Sequence, residues 1–133
     1  MVHLKKFKLL TLLFLSVSAI ALAQSKPWVV PAAAKMVKSP QELSNAASVK
    51  DGKTLYIANC SPCHGDKGTG NGAAAAALAV KPADHTSAKV QSESDGALFW
   101  KISQGRSPMP QYKNAFTEKQ RWELVNYIRS LAK

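Results

Sequence analysis

The chain has 133 residues, 46% of them hydrophobic, with 18 Lys and Arg against 8 Asp and Glu, two cysteines and a net charge of +10. That length holds one small domain, so the numbers exclude a multidomain enzyme, a multi-span membrane protein and a cysteine-dense disulfide scaffold. A sequence pI of about 9.8 keeps a nucleic-acid binder under consideration until the order of the residues is read.

At the N-terminus, Lys5, Lys6 and Lys8 precede an apolar run from Leu9 to Ala23 that only Thr11, Ser16 and Ser18 interrupt. Ala21-Leu22-Ala23 then supplies a small-x-small pattern, completing the order of a secretory signal cleaved before Gln24. As a helix this run reaches about 22 Å, short of a hydrocarbon core of about 30 Å, which argues against a retained anchor. Residues 1–23 are therefore expected to be a signal peptide and the remainder to be exported, to the periplasm in a Gram-negative source. Their removal leaves 110 residues with 15 basic and 8 acidic side chains, a net +7. A chain of that size buries a limited core and gains from a staple, a metal or a large apolar cofactor.

Residues 24–47 carry Pro27, Pro31 and Pro40 around an Ala32–Ala34 patch, with little helical periodicity. They are expected to form an extended arm over the domain, anchored by Trp28, Val29 and Val30. A first helix is predicted from Ser48 as N-cap, with Asp51 favouring its positive end, Leu55 and Tyr56 inward and an end near Asn59. From Gly65 to Gly72 four glycines fall in eight residues, which predicts a tight loop. Ala73–Ala77 suits a short helical turn closed off by Lys81-Pro82. A second helix fits between Ser94 as N-cap and Gly105, presenting Leu98, Phe99 and Ile102. The last helix is marked by a Thr117/Gln120 capping box and by Trp122, Val125, Ile128 and Leu131 on one stripe. No alternating run long enough for a strand lies between these helices, so the domain, residues 48–133, is expected to be all-α.

Both cysteines fall in Cys60-Ser61-Pro62-Cys63-His64. Cys-x-x-Cys-His is the attachment pattern of a c-type haem. Two thiols one helical turn apart suit the two vinyl groups on one porphyrin edge, and the adjacent histidine is then an axial iron ligand. A redox-active Cys-x-x-Cys of the thioredoxin type belongs beside a βαβ pattern, which is missing, and a zinc site needs more ligands than the motif supplies. For the sixth iron position the candidates are Met109, Met36 and His85. Met109 is preferred, because the prolines of Ser107-Pro108-Met109-Pro110 fix φ and favour a stiff, extended strap that can hold a thioether on iron.

The stretches Asp95–Arg106, Met109-Pro110 and Arg121–Leu131 resemble the C-terminal half of a class I (monohaem) cytochrome c. With Cys60–His64 and the glycine-rich loop after it, the resemblance covers about residues 48–133. It implies a small helical domain wrapped around one covalent haem, with an N-terminal helix crossing the C-terminal one near a glycine. Gly52 and Tyr56 against Trp122, Val125 and Tyr127 match that crossing. It also implies that a proline carbonyl after His64 accepts a hydrogen bond from the ligand imidazole, and Pro82 is the proline in place.

The sites expected from this reading are thioethers at Cys60 and Cys63, the proximal ligand His64 and the distal ligand Met109, in a pocket walled by Leu78, Val80, Phe99 and Ile102. With both axial positions filled, outer-sphere one-electron transfer is favoured over catalysis. The expected role is an electron carrier between periplasmic or membrane-bound partners of a respiratory chain. The alternatives are a haem-bearing subunit of a larger oxidoreductase and a haem enzyme or sensor with an open sixth site. Lys67, Lys81, Lys101, Arg106 and Lys113 are candidates for steering an acidic redox partner, and Arg106 or Lys101 for pairing a haem propionate. Nucleic acid is a poor partner for an exported chain whose lysines form no aromatic-interleaved stripe. The protein is expected to be a monomer, with peripheral membrane association open to it through a partner complex.

Overall fold

The structure, a computed structural model, describes residues 27–133. The expected signal peptide, residues 1–23, and the first residues of the arm lie outside the described residues. Among the described residues six α-helices follow in order: α1 (Ala32–Lys35), α2 (Ala46–Asn59), α3 (Ser61–His64), α4 (Ala88–Gln91), α5 (Asp95–Gln104) and α6 (Glu118–Ser130), with 3-10 turns at Gln41–Leu43 and Ala75–Ala77. Among the described residues there is no strand, only an isolated bridge between Arg106 and Met109. None of the described helices is long and apolar enough to cross a membrane.

The frame is the crossing of α2 and α6. A Cβ built on Gly52 would lie 2.0 Å from the Glu123 carbonyl oxygen and 3.0 Å from Tyr127 Cβ, so only glycine lets the two backbones meet there. One turn on, Tyr56 is wholly buried and meets the Tyr127 ring edge-on at 5.0 Å. Trp122, Leu124 and Val125 of α6 are also fully buried, each contributing roughly 1.5–3 kcal/mol by leaving water. On the other flank Phe99 of α5 stacks on Trp122 at 4.1 Å. The Arg121 guanidinium lies over the Phe99 ring at 4.7 Å and donates to Ser103 Oγ, which anchors α5 to α6.

The caps show where the sequence reading holds and where it shifts. Ser94 caps α5 with Gly105 after its end, and the Thr117/Gln120 box opens α6. Helix α2, however, begins at Ala46, with Asn45 as N-cap accepting from the Ser48 amide at 2.9 Å. Ser48 is buried inside the helix, and its hydroxyl accepts from Asn126 Nδ2 at 2.9 Å. The arm is less extended than expected. It carries the single-turn α1, and α1 packs on α5 so closely that a Cβ at Gly96 would lie 2.1 Å from the Ala34 carbonyl oxygen. Of the three expected anchors, Val30 is buried and Trp28 is half-buried, whereas Val29 is 76% exposed.

Candidate functional site

A cavity of about 300 Å3 opens between the end of α2, α3, the 78–85 segment, α5 and the turn around Met109. The end of α2 delivers the Cys-x-x-Cys-His motif to its wall. The Cys60 amide still bonds back to the Tyr56 carbonyl at 2.8 Å, and the chain then turns into α3, with Pro62 in its first turn. Cys60, Cys63 and His64 all line the cavity, and the two cysteines are not joined to each other. Burial, reinforced by Cys63, pushes the Cys60 thiol up to about 12.

The histidine is fixed by the loop that follows it. His64 Nδ1 donates to the Ala83 carbonyl oxygen at 3.0 Å. Because a carbonyl only accepts, Nδ1 carries the proton and Nε2 keeps the lone pair a metal needs. Burial lowers the His64 pKa, and the Ala83 bond opposes that shift. The acceptor is thus Ala83 and not Pro82, a correction of one residue. Glycine geometry explains how a carbonyl 19 residues away arrives there. Gly70, at φ +77°, lies so close to the Pro82 carbonyl that a Cβ would sit 2.6 Å from it, and the His85 amide donates to the Gly68 carbonyl at 2.7 Å. The 82–85 segment is therefore laid along the glycine loop, with Ala83 as the residue facing the imidazole.

Met109 also lines the cavity, as do Pro108 and Pro110. Its segment is a tight turn and not the extended strap expected: Arg106 and Met109 exchange both backbone hydrogen bonds, at 3.0 and 2.8 Å, around a cis Ser107–Pro108 bond. Gly105 at φ +61° admits Pro110 within 2.4 Å of where a Cβ would be, closing the turn from behind. Beyond it, Tyr112 donates its hydroxyl to the Asn59 carbonyl at 3.1 Å and its amide to Ile102 at 3.2 Å. The thioether is thereby referenced to both α2 and α5.

Leu78, Val80 and Ile102 wall the cavity as expected, but Phe99 does not, because it is engaged with Trp122. Leu98, Leu124 and Ile128 complete the apolar wall. Lys81, Lys101 and Arg106 line it too, whereas Lys67 and Lys113 do not. Lys101 is paired with Glu93 at 2.5 Å. Trp28, read from the sequence only as an anchor, is itself a wall residue. Its ring lies 5.6 Å from Lys101 Nζ and 5.7 Å from the Arg106 guanidinium and meets Trp100 edge-on.

His85, the other histidine candidate for iron, is stacked face to face with His64, the rings 4.1 Å apart and 18° from parallel. Its Nδ1 shares a hydrogen bond of 2.9 Å with the Tyr56 hydroxyl. Burial and the neighbouring His64 push its pKa down to about 3, Asp84 opposing, so it is neutral at neutral pH. Met36 is 75% exposed in the arm and does not line the cavity.

Two cysteine sulfurs, an imidazole with its lone pair at Nε2 and a thioether thus converge on one apolar cavity. That donor set fits a large, flat, covalently carried macrocycle. Among the described residues, no group of three or more His, Cys, Asp or Glu side chains is arranged to hold a metal ion directly.

Comparison with known proteins agrees with this chemistry. No curated protein sequence matches the chain. Among solved structures, the fold matches a chain of the reducing HAO-like protein complex of Kuenenia stuttgartiensis, with a TM-score of 0.61 at 23% identity. The match covers 85% of this chain and 54% of that one, so the protein spans about half the length of its structural neighbour. The family model described as cytochrome C oxidase, cbb3-type, subunit III matches residues 47–128. That span takes in the helix crossing, the Cys-x-x-Cys-His motif and the Met109 turn, and the chain belongs to this family of c-type cytochrome domains, whose cofactor is a covalently bound c-type haem.

Proposed function

We propose that the protein is a one-electron carrier with a single haem, joined through thioethers to Cys60 and Cys63 and ligated by His64 and Met109. The observation that carries this reading is the convergence of those four side chains on one cavity. Bound there, the haem iron supplies a one-electron couple between its ferric and ferrous states. The chain's own residues do the rest. Ala83 holds the His64 proton on Nδ1, so that Nε2 is the donor. The doubly bonded 106–109 turn presents the Met109 thioether, a ligand that raises the potential of the couple. The apolar wall of Leu78, Leu98, Ile102 and Ile128 excludes water and disfavours the more highly charged ferric state.

Lys81, Lys101 and Arg106 border the same cavity. In this reading they steer an acidic redox partner by long-range attraction, and Lys101 or Arg106 pairs a propionate. Residues 1–23 act as a signal peptide, the carrier works as a monomer in the exported compartment, and its partners are redox proteins.

The test is spectroscopic. The wild-type holoprotein should show a ferric thioether-to-iron charge-transfer band and no reaction of the ferrous form with carbon monoxide. Met109→Ala should abolish the band, open the site to carbon monoxide and lower the reduction potential. An unchanged spectrum in that variant refutes Met109 as the ligand.

A second reading, a haem-bearing subunit of a larger oxidoreductase, is favoured by the matched family's description as an oxidase subunit and by a structural neighbour that belongs to a complex. Co-purification with a larger assembly, lost when the exposed arm residues Val29 and Met36 are replaced by lysine while haem binding is retained, distinguishes it from the free carrier.

A further inference from the structure

We propose that His85, held by Tyr56, is a positioning residue that sets the ring plane of the His64 imidazole. The inference rests on the reading of His64 as an axial ligand and adds a role for two side chains outside the motif.

The Ala83 carbonyl gives His64 one hydrogen bond at one ring atom. With the covalent attachment at Cγ, that bond fixes which edge of the ring faces the loop and leaves the ring a tilt about the line joining Cγ and Nδ1. A flat surface parallel to the ring removes that freedom, and His85 supplies one: the two ring centroids are 4.1 Å apart and the planes differ by 18°.

The platform is in turn fixed at three places. The Tyr56 hydroxyl hydrogen-bonds His85 Nδ1 at 2.9 Å. The His85 amide donates to the Gly68 carbonyl at 2.7 Å, and the His85 carbonyl accepts from Gln91 Nε2 at 2.7 Å. Gln91 also donates to Ile128 of α6 at 2.8 Å. Tyr56 has no solvent exposure and is braced edge-on by Tyr127 at the helix crossing. Gly68 closes over the pair, since a Cβ there would lie 3.3 Å from His85 Cβ and 3.4 Å from the Tyr56 hydroxyl oxygen. An aliphatic residue at 85 would fill the volume without offering a parallel face or a nitrogen for Tyr56. The α2–α6 crossing is thereby linked to the axial ligand through Tyr127, Tyr56, His85 and His64 in sequence.

The test uses the full-length ferric holoprotein. The order and spread of its four haem-methyl resonances in proton NMR follow the orientations of the two axial ligands, so a change in them that leaves the thioether-to-iron charge-transfer band in place reports the plane of the His64 ring. His85→Leu should reorder these resonances, Tyr56→Phe should change their spread, and His85→Phe, which restores a flat face, should keep the wild-type order. The wild-type order and spread in His85→Leu overturns the proposal, as does that result in Tyr56→Phe if His85→Leu fails to fold. A wild-type spectrum without any imidazole-ligated signature refutes the His64 reading itself. An imidazole-ligated wild type with an unperturbed His85→Leu variant refutes only the role of His85.

Discussion

Replacing Gly52 by Ala tests whether the α2–α6 crossing governs stability, because local and tertiary effects then have opposite signs. Alanine favours a helix interior over glycine by about 1 kcal/mol, so α2 considered alone predicts a more stable protein. At the crossing, the added Cβ would sit 2.0 Å from the Glu123 carbonyl oxygen and 2.6 Å from its carbonyl carbon. A comfortable carbon–oxygen contact is about 3.3 Å, so the helices must part by more than about 1 Å. The obstacle is backbone and has no rotamer to yield. Overpacking of this kind costs about 1–3 kcal/mol and occasionally more, and here the upper end applies. Against the propensity gain the net loss is about 2 kcal/mol, which for a domain of this size lowers Tm by roughly 8–16 °C. The assay is a thermal melt of the holoprotein followed at the helical circular-dichroism band. The exposed neighbour Lys53→Ala serves as a control and should stay within about 0.5 kcal/mol of wild type. A Gly52→Ala protein that melts at or above the wild-type temperature refutes the reasoning.

Two further predictions concern single hydrogen-bonding groups. Thr117→Ala removes one half of the capping box of α6 and should cost about 1 kcal/mol in denaturant unfolding, whereas Thr117→Ser should restore most of it. The Thr86 hydroxyl and amide both donate to Asp84 Oδ1, at 2.7 and 2.8 Å, and hold that carboxyl below the usual range. A depressed carboxylate stabilises the fold above its ordinary pKa, and this contribution is lost as pH falls through the depressed value. Thr86→Val should therefore raise the Asp84 pKa in an NMR carboxyl titration and flatten the acid limb of the stability curve. An unmoved titration refutes the role of Thr86.

Much of the fold could be read locally, because its principal signals are local. Ser94, Gly105 and the Thr117/Gln120 pair act within one turn of their own helices, and α5 and α6 lie where these residues put them. The start of α2 could not be read this way. Asn45 and Ser48 are both good N-caps three residues apart, and the choice follows from Asn126, 78 residues from Ser48, which draws the Ser48 hydroxyl inward. Helix α4 was invisible for a similar reason. One turn is too short for a periodic pattern, and besides its Ser87 cap it is held by Gln91 reaching Ile128 and by Arg129 reaching the Val90 and Gln91 carbonyls.

At the site, the dense Cys60–His64 motif and the proline-flanked Met109 announced themselves. Trp28 and His85 gave no comparable signal. Their places depend on the arm lying against α5 and on the 82–85 segment lying along the glycine loop. The preference for Phe99 in the wall failed because helical spacing puts Leu98, Phe99 and Ile102 on neighbouring faces without saying which faces the cavity and which faces Trp122.

The way the 82–85 segment is fastened bears on how much the chain length can vary nearby. At one end of the alanine-rich stretch, Gly72 and Ala74 are tied to Cys63 and Pro62 by bonds of 3.0 and 2.9 Å. At the other, Ala83 and His85 are tied to His64 and Gly68. Between these moorings, Ala76 and Ala77 are exposed. Doubling the length of a flexible loop costs only about 0.6 kcal/mol in closure entropy. Residues inserted between Ala76 and Ala77 would open the 3-10 turn there, breaking its Ala77–Ala74 and Leu78–Ala75 bonds, and bulge into solvent while the imidazole and its acceptor stay in register. That makes this junction the place to graft a surface tether, an affinity tag or a fluorophore without displacing the imidazole.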